Sequence, residues 1–378
     1  MKKIKKLVAV IVTAVMAAGM LTSCSTGSGT VSVNVENPEY YEKFKDQGIS
    51  INVYNWGEYI ANGEDGGIDV NQAFTNLTGI KVNYSTYATN EELYAKLKAG
   101  AANYDIIIPS DYMISRMISE DMLEPVNLEN VPNFKNIRED FKNPVYDEEN
   151  KFSVPYTWGT VGIIYDKTAT DIDESDIDWD ILWNDEYKER VLMFDNPRDA
   201  FGIAEIMLGY SINTENPDEL KAAAEKLKEQ KPVVQAYVMD EIFDKMGAGE
   251  AVFAPYYAGD AMTLMAEYEN LGFVVPKSGT NLFVDAMCIP KGAAQKEAAE
   301  MYINFMCEAE VACATAEYIG YSTPNTAALE LLPEEIKNDT VSYPADEYIE
   351  ENTTVFKNLS AEANQLMQDL WTEMKSSN

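Results

Sequence analysis

The sequence predicts an α/β protein of two lobes, each built on a doubly wound sheet, with segments of chain exchanged between them. Three observations carry this. Strand-like and helix-like stretches alternate from residue 50 to about residue 110 and again after Ser153. One strand, Ile106 to Ile108 in YDIIIPSDY, is apolar at every position, the pattern of a strand buried on both faces beneath helices. No charge run or long Pro/Gly linker separates the two alternating stretches of this 378-residue chain, so the lobes share crossing segments.

Taken in order, the chain begins MKKIKKLVAVIVTAVMAAGMLTSC. Lys2, Lys3, Lys5 and Lys6 form a basic start, and the uncharged run from Leu7 to Leu21 is shorter than the roughly 20 residues that span a bilayer. This is an export signal. Its end, Leu21-Thr22-Ser23-Cys24, resembles the lipobox of bacterial lipoproteins. Residues 1–23 are therefore read as a lipoprotein signal peptide, Cys24 as the lipidated first residue of the mature chain, and residues 24–49 as a flexible tether rich in Ser, Gly and Thr.

Ser50 to Trp56 alternates as a half-buried strand. Val70, Phe74 and Leu77 mark a helix face that stops at Gly79, and Ile80 to Tyr87 alternates again. Thr89 and Glu92 form a capping box for a helix ending at Gly100, ahead of the Ile106 strand. The pattern returns with VLMF at Val191 to Phe194 and helices from Arg198 to Tyr210 and from Asp218 to Gln230. The strands AVFAPYY at Ala251 to Tyr257 and GFVV at Gly272 to Val275 follow. Ser153 to Tyr165 and Asn281 to Pro290 are the expected crossing strands.

Composition narrows the function. The chain has no His, which removes Ser-His-Asp and Cys-His catalysis and His-ligated zinc. Beyond Cys24 three cysteines remain, Cys288, Cys307 and Cys313, without a CxxC pair, and they read as small buried apolar residues. The net charge is −34, and −38 without the four leader lysines, a field that repels nucleic acid and anionic headgroups and attracts cations. DIDESDIDWD, Asp171 to Asp180, lacks the Gly and terminal Glu spacing of a calcium loop and reads as a solvated acidic loop. No metal or cofactor is expected.

Ligands of open α/β sheets bind beyond the carboxyl ends of the strands, and there this chain places aromatic residues with acids. Trp56 and Tyr59 follow the first strand, and Ser110, Asp111 and Tyr112 follow the Ile106 strand. Asp195 to Asp199 follow VLMF, Tyr256 and Tyr257 close AVFAPYY, and Phe283 and Asp285 sit on a crossing strand. Aromatic faces suit the methylenes and charge of an alkyl ammonium, at about 0.5–2 kcal/mol per contact, and carboxylates fix its ends. A buried carboxylate without a partner is costly, so such a cleft is expected to stay open and hydrated until a cation neutralises it.

These residues carry a resemblance. YNWGEYI, TGIKVNYSTYATNEELYAKLKAGAANYDIIIPSDYM, SVPYTWGTVGIIYD, GTNLFVDAMCIP and IGYSTPN, in that order from about Ile51 to about Pro344, resemble the spermidine/putrescine-binding proteins of bacterial ABC transporters. The resemblance implies a type II periplasmic-binding-protein fold, with lobe 1 at 51–158 plus 284–328 and lobe 2 at 159–283 plus 329–378, closing by a hinge around a linear polyamine. It implies that Trp56, Tyr59, Ser110, Tyr112 and Asp285 line the cleft from one lobe, with Asp285 gripping an ammonium. Asp199, Tyr257 and Phe283 line it from the other, and Tyr321 of IGYSTPN closes one end. Asn196 in FDNPRD stands where the family pattern carries a second carboxylate, a loss that Asp195 or Asp111 would offset. That change favours the shorter diamine or little discrimination, and the tail from Ile349 onward matches poorly.

The implied function is a lipid-tethered, monomeric, non-enzymatic binding protein. It would capture spermidine or putrescine in the periplasmic space or at the outer face of the cytoplasmic membrane and deliver it to a permease. Two alternatives are the same fold with another small cationic or polar solute, and an exported glycoside hydrolase using Asp199 and Asp285 as paired carboxylates. Oxyanion binding would call for basic residues in the cleft, and only Arg198 lies near it.

Overall fold

The computed structural model describes residues 33–100 and 103–377, so the export signal and Cys24 lie outside the described residues. Strand β1 (Ser50–Trp56) is joined by helix α1 (Val70–Thr78) to strand β2 (Lys81–Tyr87), which pairs with it in parallel from Ser50↔Lys81 to Trp56↔Tyr87. The Asp69 carboxylate accepts from Gln72 N at the start of α1, and Gly79, at φ 75°, ends it in the left-handed region that glycine tolerates. Thr89 caps helix α2 (Asn90–Lys98) as its capping-box sequence predicts. Strand β3 (Ile106–Ile107), parallel to β1 on its other side, leads into helix α3 (Asp111–Ser119).

After the short strand β4 (Leu123–Glu124) comes β5 (Ser153–Asp166), buried along its whole length. The second half of the molecule follows: β6 (Val191–Phe194), α4 (Pro197–Met207), α5 (Pro217–Gln230), β7 (Val234–Val238), α6 (Ile242–Gly247), β8 (Phe253–Tyr257), α7 (Ala258–Glu267) and β9 (Leu271–Val274). Helix α4 stops three residues short of the expected Tyr210, where Gly209 takes φ 73° and breaks the helical path. Strand β10 (Thr280–Pro290) and the three-residue β11 (Thr353–Val355) complete the sheet, in the order β2-β1-β3-β10-β5-β8-β6-β7.

The two expected crossing strands form the seam. The first part of β5, Ser153 to Thr160, pairs antiparallel with β10, while Val161 to Asp166 pair with β8 and β9; β10 in turn pairs with β3. The fold is thus two α/β lobes joined through two paired strands. The β5–β10 register shifts between Asp285 and Ala286, a bulge of the kind that re-aims a side chain.

Two segments depart from the expected organisation. Within the stretch read as a tether, Pro38–Glu42 form a 3-10 helix, and the fully buried Tyr41 packs edge-on against Phe305 and donates to Glu308 at 2.7 Å. The folded body therefore begins before Ser50. Past Ala328, Leu332, Ile336 and Tyr343 pack with Ala312, Cys313 and Ala316, so this stretch joins the helix Ala309–Ile319 of the first lobe rather than the second. The final helix, Ala361–Ser376, packs on α5.

Trp158 is buried against Phe141 and Tyr343, Trp371 meets Tyr237 edge-on, and Met301, Phe305 and Met306 are in the core. Cys288, Cys307 and Cys313 are free and buried. In the acidic loop Asp173 and Asp178 cap short 3-10 turns. Among the described residues no His/Cys/Asp/Glu group could hold a metal ion, and no helix is long and apolar enough to cross a membrane.

Candidate functional site

The carboxyl ends of the parallel strands open on one cleft, with about 620 Å³ of empty space partly open to solvent. The first lobe contributes Trp56 and Tyr59 from the end of β1, and Ser110 and Tyr112 from the start of α3. Phe283 and Asp285 reach it from β10, Asn196 and Asp199 from the start of α4, Tyr257 from the end of β8, and Tyr321 from beyond the helix Ala309–Ile319. All ten residues singled out from the sequence therefore border this one cavity. Five aspartates line it, Asp111, Asp199, Asp240, Asp260 and Asp285, and among the described residues no Lys or Arg does.

Three of these acids are each held by a tyrosine. Tyr59 donates to Asp285 Oδ2 at 2.6 Å and lies 2.5 Å from Thr157 Oγ1, so with the phenol proton committed to the acid, Thr157 donates to Tyr59. Tyr257 donates to Asp199 Oδ2 at 2.8 Å, and Tyr321 donates to Asp260 Oδ2 at 2.8 Å. The rings connect edge to face: Tyr59 to Tyr321 at 4.8 Å, Tyr321 to Phe283 at 6.1 Å, and Phe283 to Tyr257 at 5.5 Å. An aromatic lining thus runs from one acid to the next.

Asn196 explains the missing carboxylate. It caps α4, its Oδ1 accepting from Arg198 N, and its Nδ2 donates to Asp199 Oδ2 at 2.6 Å. A carboxylate there would face Asp199 with like charge instead of a donor. Asp195, considered as its substitute, is a correction: it is ion-paired with Lys375 at 2.5 Å and does not border the cleft. Asp111 does border it, but its oxygens accept from Tyr112 N at 2.6 Å and Val284 N at 3.1 Å, tying α3 to β10.

Burial governs the charge of these groups. It pushes Asp285 up to about 6, with the Ser110 and Tyr59 hydroxyls pulling the other way. Burial likewise pushes Asp199 up to about 7 against the Tyr257 hydroxyl, and Asp260 up to about 8 against that of Tyr321. The Oδ1 of Asp285 is buried without a hydrogen-bond partner. A neutralising cation would satisfy that oxygen and bring these carboxyls back to their ionised form.

Sequence reasoning missed Asp260, Asp240 and Phe356. Asp260 lies in the first turn of α7, directly after the Tyr256-Tyr257 strand end, and the strand-end rule that found Asp199 could have found it. Asp240 stands so close to Gly57 that a Cβ there would lie 2.2 Å from its Oδ2, and burial next to Glu58 and Glu241 raises its carboxyl. Phe356 belongs to the poorly matching tail.

Two lobes joined by paired crossing strands, with an aromatic, acid-lined cleft between them, define a solute-binding protein. The chain belongs to the bacterial extracellular solute-binding proteins, whose family pattern matches residues 70–343. It is 38% identical over 307 residues to the spermidine/putrescine-binding periplasmic protein of Escherichia coli, covering 80% of this chain and 86% of that one. Among solved structures, a Listeria monocytogenes protein assigned to spermidine/putrescine ABC transport superposes with a TM-score of 0.82 at 38% identity, over 86% of this chain and 99% of that one. The TpPotD lipoprotein of Treponema pallidum gives a TM-score of 0.74 at 28% identity, over 86% and 99%.

Proposed function

We propose that this protein is the extracytoplasmic capture component of a polyamine ABC importer, taking up putrescine or spermidine between its lobes and passing it to the permease. One observation carries the reading: three tyrosine-held carboxylates, Asp285, Asp199 and Asp260, stand along one aromatic lining with no basic residue among them. That arrangement matches ammonium groups spaced along an aliphatic chain. The relatives' names support the same class of ligand. Tyr59, Tyr257, Phe283 and Tyr321 contact the methylenes, Trp56, Ser110, Tyr112 and Asn196 complete the walls, and binding involves no catalytic step, cofactor or metal.

The protein works as a monomer outside the cytoplasmic membrane, anchored through Cys24. The basic start, the short apolar run and Leu21-Thr22-Ser23-Cys24 support the anchor, as does the likeness to a lipoprotein. The lobes are 51–158 with 284–328, extended by the stretch packed on the helix Ala309–Ile319, and 159–283 with the last helix.

Calorimetric titration of the chain from residue 25 onward with putrescine and with spermidine, at physiological salt, tests the reading. Micromolar or tighter binding, about −8 kcal/mol or better, is expected for at least one of them. Absence of binding by both would refute it.

A further inference from the structure

At the seam between the crossing strands, Asp285 pairs with Thr157 and Ala286 pairs with Pro155, so Tyr156 is the extra residue of the bulge. Along a regular strand successive side chains point to opposite faces. Here the hydroxyls of two successive residues meet a single residue. Tyr156 donates to the Tyr59 carbonyl at 2.6 Å, and Thr157 Oγ1 lies 2.5 Å from the Tyr59 phenol oxygen. Tyr59 is thus held at both ends, by its main chain and by the tip of its side chain.

The turn that carries Tyr59 is one that needs holding. Glu58, the residue before it, takes φ 46°, a left-handed backbone that a residue with a Cβ adopts at a cost. Besides Tyr156, Asn55 Nδ2 donates to the Tyr59 carbonyl, but at 3.4 Å that bond is long. The rings of Tyr156 and Tyr59 also pack edge to face at 5.7 Å. Tyr156 and Thr157 are buried and neither borders the cleft, so neither touches a ligand in it.

We infer that Tyr156 and Thr157 are positioning residues for the ammonium site at Asp285. From the bulge of the crossing strand they bracket Tyr59, so that its phenol reaches Asp285 Oδ2 and Oδ1 is left for the ligand. This rests on the polyamine reading above. Were Tyr156 to lose its hydroxyl, the Tyr59 carbonyl would keep only the long bond from Asn55, the turn would shift, and the phenol would lose its aim at Asp285. The effect passes through the Tyr59 hydroxyl and through no other group.

A double-mutant cycle tests this. Putrescine and spermidine are titrated into the wild-type chain, Tyr156→Phe, Tyr59→Phe and the double variant, with melting curves for each. Tyr156→Phe should weaken both polyamines by the same factor, about fivefold or more. Added to Tyr59→Phe, where no phenol is left to aim, it should cost less than about twofold. Thr157→Val, which releases the other end of the bracket, should repeat the pattern and supplies the same comparison if Tyr156→Phe does not melt cooperatively. Equal losses with and without the Tyr59 hydroxyl would mark a general loosening of the fold and overturn the inference, as would no loss from Tyr156→Phe or a loss confined to one polyamine. A wild-type chain that binds neither polyamine would overturn the polyamine reading and this inference with it.

Discussion

The phenol of Tyr59 is hydrogen-bonded to Oδ2 of Asp285 across 226 residues of sequence, at 2.6 Å, while the other oxygen of that carboxylate has no partner. One oxygen is anchored and the other is left for a ligand. Replacing Asp285 by Asn keeps the shape and removes the charge, and truncating one member of a buried charge pair costs about 2–5 kcal/mol. Asp285→Asn should therefore weaken polyamine binding by at least about 30-fold. Calorimetry checks it, with a melting curve to confirm the fold.

Tyr59→Phe removes the donor but not the acid. A hydrogen bond to a charged group contributes about 1.5–3 kcal/mol, and because the Tyr59 hydroxyl holds the Asp285 carboxyl down, its loss also raises that carboxyl further. The variant should bind about tenfold or more weakly at neutral pH and recover part of that loss at pH 8.5. Equal loss at both values would contradict the coupling.

Binding should release protons. Asp285 sits at about 6, Asp199 at about 7 and Asp260 at about 8, each raised by burial, so the free protein holds protons on them that an ammonium ligand drives off. Apparent affinity should rise with pH from about 5 to about 8 and then level. The same carboxyls ionise near about 4 when unfolded, so their contribution to stability is full below about pH 4 and is lost as pH rises toward 8. Titration in two buffers of different ionisation enthalpy reads the protons directly, and none released at pH 6 would exclude this account.

Gly259 is required by close approach: a Cβ there would stand 2.1 Å from the Tyr321 ring. Gly320, at φ 76°, is also held close, its Cβ position 2.5 Å from Gly259 O. Gly259→Ala should displace Tyr321 from Asp260 and weaken binding by tenfold or more, while the melting temperature, set by cores elsewhere, falls by only a few degrees. Differential scanning calorimetry and titration separate the two effects.

Arg198 is buried and donates to Ile212 O, Asn213 Oδ1 and Lys357 O while stacking on Phe356. Arg198→Met leaves those acceptors unmatched, and a buried polar group without its partner costs about 1–3 kcal/mol. A loss of about 2–4 kcal/mol of stability is expected in urea unfolding.

What could be read from the sequence was what periodicity marks. Alternation located β1 and β2, short apolar runs located β6 and β8, and the rule that sites lie beyond strand ends led to Trp56, Tyr112, Asp199 and Tyr257, all at the cleft. Tyr321 came instead from the resemblance carried by IGYSTPN. Which acid turns inward was not legible: Asp195 and Asp199 are four residues apart, but Asp195 turns to Lys375 and Asp199 to Tyr257. Phe356 was invisible because its strand is three residues long and its partner, β10, lies some seventy residues earlier, a contact without local periodicity. Tyr41 was hidden in a polar stretch whose aromatic residues are two adjacent tyrosines and Phe44.

Of the three tyrosine–aspartate pairs, on the division of the chain proposed above, Tyr59–Asp285 and Tyr257–Asp199 each belong to one lobe. Tyr321 and Asp260 come from opposite ones, Tyr321 beyond the helix Ala309–Ile319 and Asp260 on α7 behind β8. Parting the lobes by the width of a water molecule leaves two of these bonds intact and breaks the third. The site therefore contains two fixed receptors and one clasp, and its grip on a cargo is graded: an ammonium can be met at either wall alone, but the clasp fastens only when both walls have arrived.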